Sequence, residues 1–241
     1  TGSARFVADV AVQGDRIAEV GTVTGSARTE IDASGMVLAP GFIDVHTHDD
    51  FALVTSPDMA FKTLQGVTTV VTGNCGTSVP AFADWIGARR EAPAAVNVAA
   101  LVGHGTIREA VIGRSTDRHA TPTELAAMCD EVSRALDASA VGMSTGLVYE
   151  PGRYSPAEEI EELARIVAAR GAIYTSHMRN ENSGLVESVR ETIDIGRATG
   201  VKVQVSHLKA IGAQNAALAQ VAVNEIRAAR AAGVDVMADQ Y

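Results

Sequence analysis

Gly41-Phe42-Ile43-Asp44-Val45-His46-Thr47-His48-Asp49 is the stretch on which the reading of this chain turns. Its apolar run, 42–45, has the length and composition of a short buried strand and leads into two histidines one residue apart. Side chains alternate faces along a strand, so His46 and His48 project together from its end. Two imidazoles on one rigid face form part of a site for zinc or a similar divalent ion. A His-x-His pair also arises by chance, so its meaning depends on what other strand ends supply.

Working outward, the chain after Pro40 alternates between short apolar runs and longer helical patterns. The runs fall at 42–45, 68–72, 96–102, 141–145, 172–176, 201–206 and 234–238. Between them, Thr121-Pro122-Thr123-Glu124 opens a helix with cap chemistry, and Leu125, Met128, Cys129, Val132 and Leu136 give it an apolar stripe. Ser155-Pro156-Ala157-Glu158 opens the next in capping-box form, running to about 170 before Gly171. Two more are expected at about 185–199, stopping at Gly200, and at about 215–232, stopping at Gly233.

Seven strand-like runs separated by helices imply a parallel sheet with right-handed crossovers, an α/β architecture. An open doubly wound sheet and a closed eight-stranded barrel both fit. The barrel fits better, because one more strand completes eight and because several runs end in polar or reactive residues, as catalytic barrel strands do. No glycine-rich dinucleotide turn follows the first run. Upstream, 4–39 reads as hairpin-like β structure. It has strands around Ala8-Asp9-Val10-Ala11-Val12 and Ile17-Ala18-Glu19-Val20 about a turn at Gly14-Asp15. Glu30-Ile31-Asp32-Ala33 and Met36-Val37-Leu38-Ala39 continue it. The expected division is therefore 1–39, a small β domain, and 40–241, the barrel.

The totals narrow the function classes. A hydrophobic fraction of 46% with 20% charged residues supports a substantial core. A net charge of −9 argues against nucleic acid and anionic membrane partners. No run approaches the ~20 apolar residues of a membrane span, and no signal peptide is visible. The two cysteines lie far apart, which makes a reducing cytoplasm the default location. The chain opens on Thr1-Gly2-Ser3 without Met and stops at Asp239-Gln240-Tyr241 on what reads as a strand end, the pattern expected of a fragment. Nothing in the pattern assigns an oligomeric state.

The strand ends supply what the first motif lacks. The second run leads into Gly73-Asn74-Cys75-Gly76, the fifth into His177-Met178-Arg179 and the sixth into His207-Leu208-Lys209. His46, His48, Cys75, His177 and His207 thus gather at one rim, more ligands than one zinc with an open position needs, and suited to two adjacent sites. Cys75, between glycines that allow close backbone approach, can serve one ion or bridge two. Lys209 and Arg179, each two residues past a histidine, are expected to face the same way and to offer cations to a substrate carboxylate. Tyr149, after the fourth run, and Tyr241, after the seventh, are expected nearby. His104 stands at the same rim, in either a site or a structural role. His119 reads as a loop residue and Cys129 as core.

The first-strand motif resembles the signature of the amidohydrolase superfamily, metal-dependent (β/α)8 hydrolases. Gly73-Asn74-Cys75-Gly76, Tyr149-Glu150-Pro151-Gly152-Arg153-Tyr154, Ser176-His177-Met178-Arg179 and Ser206-His207-Leu208-Lys209 look like its N-acyl-D-amino-acid deacylase (D-aminoacylase) branch. The resemblance implies a TIM-type barrel whose eighth strand lies beyond this chain, with 1–39 as part of a β-sandwich. It implies zinc held tightly by Cys75, His177 and His207, and a second, weaker site served by His46 and His48. It further implies that Lys209 and tyrosines such as Tyr241 help bind the carboxylate of a small N-acyl amino acid, and that the general-base aspartate comes after Tyr241. The reaction expected of the intact protein is hydrolysis of N-acyl-D-amino acids to a carboxylate and a D-amino acid. Two alternatives are an amidohydrolase of cyclic amides such as hydantoins or dihydropyrimidines, and a non-catalytic metal- or partner-binding domain.

Overall fold

The structure is a computed structural model and describes residues 4–114 and 117–241, so the opening Thr1-Gly2-Ser3 lies outside the described residues. The chain divides into two compact units, Thr1–Pro40 and Gly41–Tyr241.

In the first unit, β1 (Asp9–Gln13) and β2 (Arg16–Gly21) form an antiparallel hairpin. Its turn passes through Gly14 at φ 63°, a left-handed conformation that glycine adopts without a Cβ clash. The expected continuation over 30–39 does not form strands. That segment makes a turn, Met36 N–H to the Ala33 carbonyl, and has no neighbouring strand to accept its ladder bonds. Apolar alternation favours a strand only where a partner completes the hydrogen bonding. Ile31, Met36, Val37 and Leu38 accordingly stand exposed.

The second unit is one seven-stranded parallel sheet in sequential order: β3 (Phe42–Asp44), β4 (Val67–Thr72), β5 (Asn97–Gly103), β6 (Gly142–Gly146), β7 (Ile173–His177), β8 (Lys202–Val205) and β9 (Val236–Ala238). Each apolar run read from the sequence corresponds to one of these strands. After the short turns α1 (Ala52–Thr55) and α2 (Ala60–Thr63), longer helices fill the connections: α3 (Phe82–Glu91), α4 (His104–Ile112), α5 (Pro122–Asp137), α6 (Ala157–Ala169), α7 (Leu185–Thr199) and α8 (Ala216–Ala231). The two edge strands curl toward each other, for His46 Nδ1, just past β3, lies 3.2 Å from Asp239 Oδ1, just past β9. Sequential parallel order with curled edges is a β/α barrel short of its eighth strand.

The core lies between sheet and helices. Met128 and Val132 of α5, Leu163 and Val167 of α6, and Val189 of α7 are fully buried in one cluster with Met143, Tyr174 and Val205 of the strands. Each such side chain contributes roughly 1.5–3 kcal/mol on burial. Thr121 caps α5 as expected: its Oγ1 accepts from the Glu124 N–H, Glu124 returns a bond to the Thr121 N–H, and Pro122 occupies the first turn. The capping box expected from Ser155 does not form. Pro156 caps α6 with no side-chain bond, because the Ser155 hydroxyl turns instead toward His104 Nε2, 3.4 Å away.

Candidate metal centre

Strand register brings the ligands level. Gly146 pairs with His177, Ser176 with Val205, and Val205 with Ala238, so the residues that follow these pairs emerge at one rim. The Cys75 loop is pinned there from three sides. Gly73 N–H donates to Asp50 Oδ2 (3.3 Å), the Asn74 amide donates to the Val71 carbonyl (3.0 Å), and Gly76 N–H donates to Ser144 Oγ of β6 (2.9 Å). A Cβ at Gly73 would come 2.1 Å from the Leu101 carbonyl oxygen and one at Gly76 2.5 Å from Gly146 N, so only glycine fits either position. Cys75 itself (φ 55°) and His207 (φ 37°) hold left-handed backbone despite carrying side chains. Strain of this kind, of order 1–3 kcal/mol each, concentrates at functional sites.

Cys75 Sγ lies 3.3 Å from His46 Nε2 and 3.6 Å from His207 Nε2, between the two rings. His207 Nε2 in turn lies 2.8 Å from His177 Nδ1. Cys75, His177 and His207 are each only 7% exposed. The His46 and His48 rings meet edge-on with centroids 5.6 Å apart, and His48 is open to solvent. Among the described residues two sets of ligand atoms converge within 4.8 Å: His46, Cys75 and His207, and His177, Glu181 and His207. His48 belongs to neither set.

Two carboxylates that the sequence did not point to stand behind the histidines. Asp239 Oδ1 accepts the His207 backbone N–H (2.7 Å), and the same carboxylate faces His46 Nδ1. Glu181 Oε1 lies 2.8 Å from His207 Nδ1 and 2.7 Å from Lys209 Nζ. With Asp239 on its Nδ1, His46 can keep its proton there and turn a bare Nε2 toward Cys75, whereas His207 Nδ1 meets both an acceptor, Glu181 Oε1, and a donor, Lys209 Nζ (3.2 Å). Burial disfavours ionisation of both carboxyls. For Asp239 the bonds from His46, the His207 N–H and Gln204 outweigh it, and for Glu181 those from His207 and Lys209 do, so both lie below the ordinary range.

The same burial acts on the ligands. It pushes the Cys75 thiol up to about 12, helped by the negative charges of Asp239 and Glu181. It pulls His177 down to about 4, helped by the neighbouring His207, and lowers His48 in the same direction with help from His46. His177 and His48 are thus poised in the neutral, ligating form, whereas Cys75 needs a cation to become a thiolate.

The remaining expected residues divide. The Tyr149 ring packs edge-on against His177, with centroids 4.8 Å apart. Tyr241 lies 6.3 Å from the His207 ring, with Lys209 Nζ 5.5 Å above its own ring. Lys209 is at the rim, but its charge is paired with Glu181. Arg179 turns away: its Nε is bound to both oxygens of Glu191 on α7, Nη1 donates to the Arg153 carbonyl (3.0 Å) and Nη2 to the Ser155 carbonyl. It fastens the loop after Tyr149 rather than facing a ligand, because past the strand end the alternation used to orient it no longer applies. His104 is buried, 2.9 Å from Glu159 Oε1, in a structural cluster with Arg108. His119 is an exposed loop residue and Cys129 packs against the core.

The donor set suits zinc. A thiolate and an imidazole on one tetrahedral zinc stand ~3.6 Å apart, the Cys75–His207 separation found here. Two imidazoles would stand ~3.4 Å apart, wider than the 2.8 Å between His207 and His177.

Comparison with known proteins agrees with this picture. The amidohydrolase family profile matches residues 29–235. A D-aminoacylase of Alcaligenes xylosoxydans xylosoxydans is 44% identical over 97% of this chain and 53% of its own length. An N-acyl-D-glutamate deacylase from Bordetella bronchiseptica was solved with zinc and a phosphonate inhibitor that mimics the tetrahedral intermediate. It matches with TM-score 0.94 and 41% identity over 100% of this chain and 56% of that one. A D-aminoacylase structure addressing the role of its binuclear metal centre matches with TM-score 0.93 and 42% identity, over 98% and 54%. The chain spans about half the length of these relatives. Its sheet order, its rim of histidines around a cysteine and the extent of these matches establish that the chain belongs to the amidohydrolase family.

Proposed function

We propose that the intact protein is a zinc-dependent hydrolase of N-acyl-D-amino acids, and that Cys75, His177 and His207 hold a tight zinc while His46 and His48 serve a weaker second site. The observation that carries this is the place of Cys75 Sγ between His46 Nε2 and His207 Nε2, where one thiolate can serve both sites. It also favours linear over cyclic amides as substrates, since the cyclic-amide enzymes usually use a bridging lysine. The relatives named above act on, or are inhibited as enzymes of, N-acyl-D-amino acids.

When bound, zinc supplies a Lewis acid that acidifies a water and polarises the scissile carbonyl. The chain's own residues orient the reaction. Asp239 orients the His46 ring through its Nδ1, and Glu181 and Lys209 orient the His207 ring. Tyr149 and Tyr241 flank the ligand rings, and Lys209 brings the nearest cation for a substrate carboxylate, shared with Glu181. Asp239 and Glu181 are both engaged with the histidines; the resemblance to the deacylase branch implies that the general base is an aspartate following an eighth strand. Residues 1–39 contribute part of a β-sandwich. Among the described residues no helix is long and apolar enough to cross a membrane. A cytoplasmic location suits a free cysteine that must stay reduced to bind metal.

The test is amine release from paired N-acetyl-D- and N-acetyl-L-amino acids by the intact protein. The expected result is D-selective release that a chelator abolishes and zinc restores. Zinc-loaded protein without D-selective release would overturn the proposal.

A further inference from the structure

Asp239 makes more of its carboxylate than any other acidic group at the rim. Its side chain is 8% exposed and has three partners from three places in the chain: His46 Nδ1 after β3, the His207 backbone N–H after β8, and the Gln204 amide within β8. Its backbone joins the same seam, with Asp239 N–H donating to the Val205 carbonyl (3.1 Å) and the Leu208 N–H to the Asp239 carbonyl (2.9 Å). The His207 N–H it accepts belongs to a residue at φ 37°, a conformation that needs an external tie to persist. Glu181, by contrast, serves only the His207 side of the centre, with His207 Nδ1 at 2.8 Å, Lys209 Nζ at 2.7 Å and His177 Nε2 at 3.8 Å.

We propose that Asp239 is a positioning residue that holds the two halves of the metal centre together, setting the tautomer of His46 on one side and the backbone of His207 on the other. This rests on the zinc assignment proposed above. The physical reason is that His46 follows the edge strand β3 whereas His207 follows β8, beside the opposite edge strand, with no ladder bonds between the two. Asp239 spans that gap from behind, opposite Cys75, and both histidines need a defined direction for the Nε2 that faces Cys75. A carboxylate behind a ligating histidine is generally worth ~10–100-fold in metal affinity; this one stands behind the His46 ring and also ties down the His207 backbone.

The experiment is zinc competition against a chromophoric chelator, resolving the two sites, together with absorption of the cobalt-substituted protein, whose thiolate band reports the Cys75 geometry. In the intact protein, Asp239→Ala is expected to weaken both sites by about 10–100-fold and to shift the thiolate band. Glu181→Gln is expected to weaken only the Cys75–His177–His207 site. Should Asp239→Ala fail to fold, the near-isosteric Asp239→Asn is decisive. With its oxygen in the Oδ1 place it still accepts from the His207 N–H and His46 Nδ1, but without the carboxylate's charge, so both sites are expected to weaken by about tenfold. Native affinity at both sites in either variant, or loss confined to the His46–His48 site in Asp239→Ala, would overturn the proposal. A wild-type protein that binds no zinc would instead fail the assignment of the metal centre, and this inference with it.

Discussion

Cys75, His177 and His207 lie almost fully buried, with His207 Nε2 reaching both Cys75 Sγ (3.6 Å) and His177 Nδ1 (2.8 Å), whereas His48, whose ring meets that of His46, is open to solvent. The two halves of the centre have the same kind of ligand but different surroundings. In the buried half, desolvation has already stripped His177 of its proton and holds Cys75 as a thiol, so a cation gains a neutral imidazole at once and converts the thiol to a thiolate. In the open half, water competes for the metal and screens its charge. Under the proposed assignment, the difference in surroundings is what makes one half the tighter site.

The largest effect should come from removing the group the halves share. Cys75→Ala is expected to lower zinc affinity by more than ~100-fold, beyond what an outer partner contributes, and at both sites. Retention of two zinc ions on chelator titration would break the comparison. Removing one ligand from each half sharpens it. His177→Ala should empty the tight site, and His48→Ala should lower the zinc content from two equivalents to one and leave the tight site intact, as metal analysis after dialysis would show.

A third prediction uses pH on the metal-free protein. His177 in the folded state lies at about 4, below its ordinary 6.5, so the unfolded chain takes up the proton first as pH falls. Its contribution to stability is complete above about 6.5 and is lost progressively toward about 4. The urea midpoint should fall through that window, and His177→Gln should flatten the fall. An equal slope in the variant would place the titration elsewhere.

Smaller effects lie outside both halves. Arg179→Ala removes charged hydrogen bonds to Glu191 and to two loop carbonyls and is expected to destabilise the fold by about 2 kcal/mol. A weakened substrate KM at unchanged stability would return Arg179 to the ligand-binding role read from the sequence. Thr121→Ala, at the N-terminus of α5, should cost about 1 kcal/mol through loss of its capping bond and leave zinc affinity at both sites unchanged.

The sequence exposed the repeating part of the fold well, and it pointed to four of the residues that converge at the rim. Apolar runs at strand length, helices bounded by Thr121-Pro122 and by Gly171, Gly200 and Gly233, and a His or Cys after four of the strands are local patterns, fixed within a few residues. The errors share one cause. Arg179 was oriented by strand alternation that ends at His177, and His207 itself breaks alternation by its left-handed backbone. Ser155 sits in a capping pattern, yet its hydroxyl meets His104, 51 residues away, instead. Residues 30–39 alternate like strands but have no neighbour to pair with. Asp239 and Glu181 were missed because neither lies in a motif. Asp239 meets His46 across 193 residues of chain, and no local spacing encodes that meeting.

By itself, then, the sequence determined the order of strands and helices and which strand ends carry metal-binding atoms, since hydrophobic period, caps and side-chain chemistry are properties of short segments. The tertiary structure decided which nitrogen each histidine presents, which half of the centre is buried, and which charges are already spent on neighbours. Those depend on distances between residues far apart in the chain, and only closing the sheet brings them within a hydrogen bond's reach.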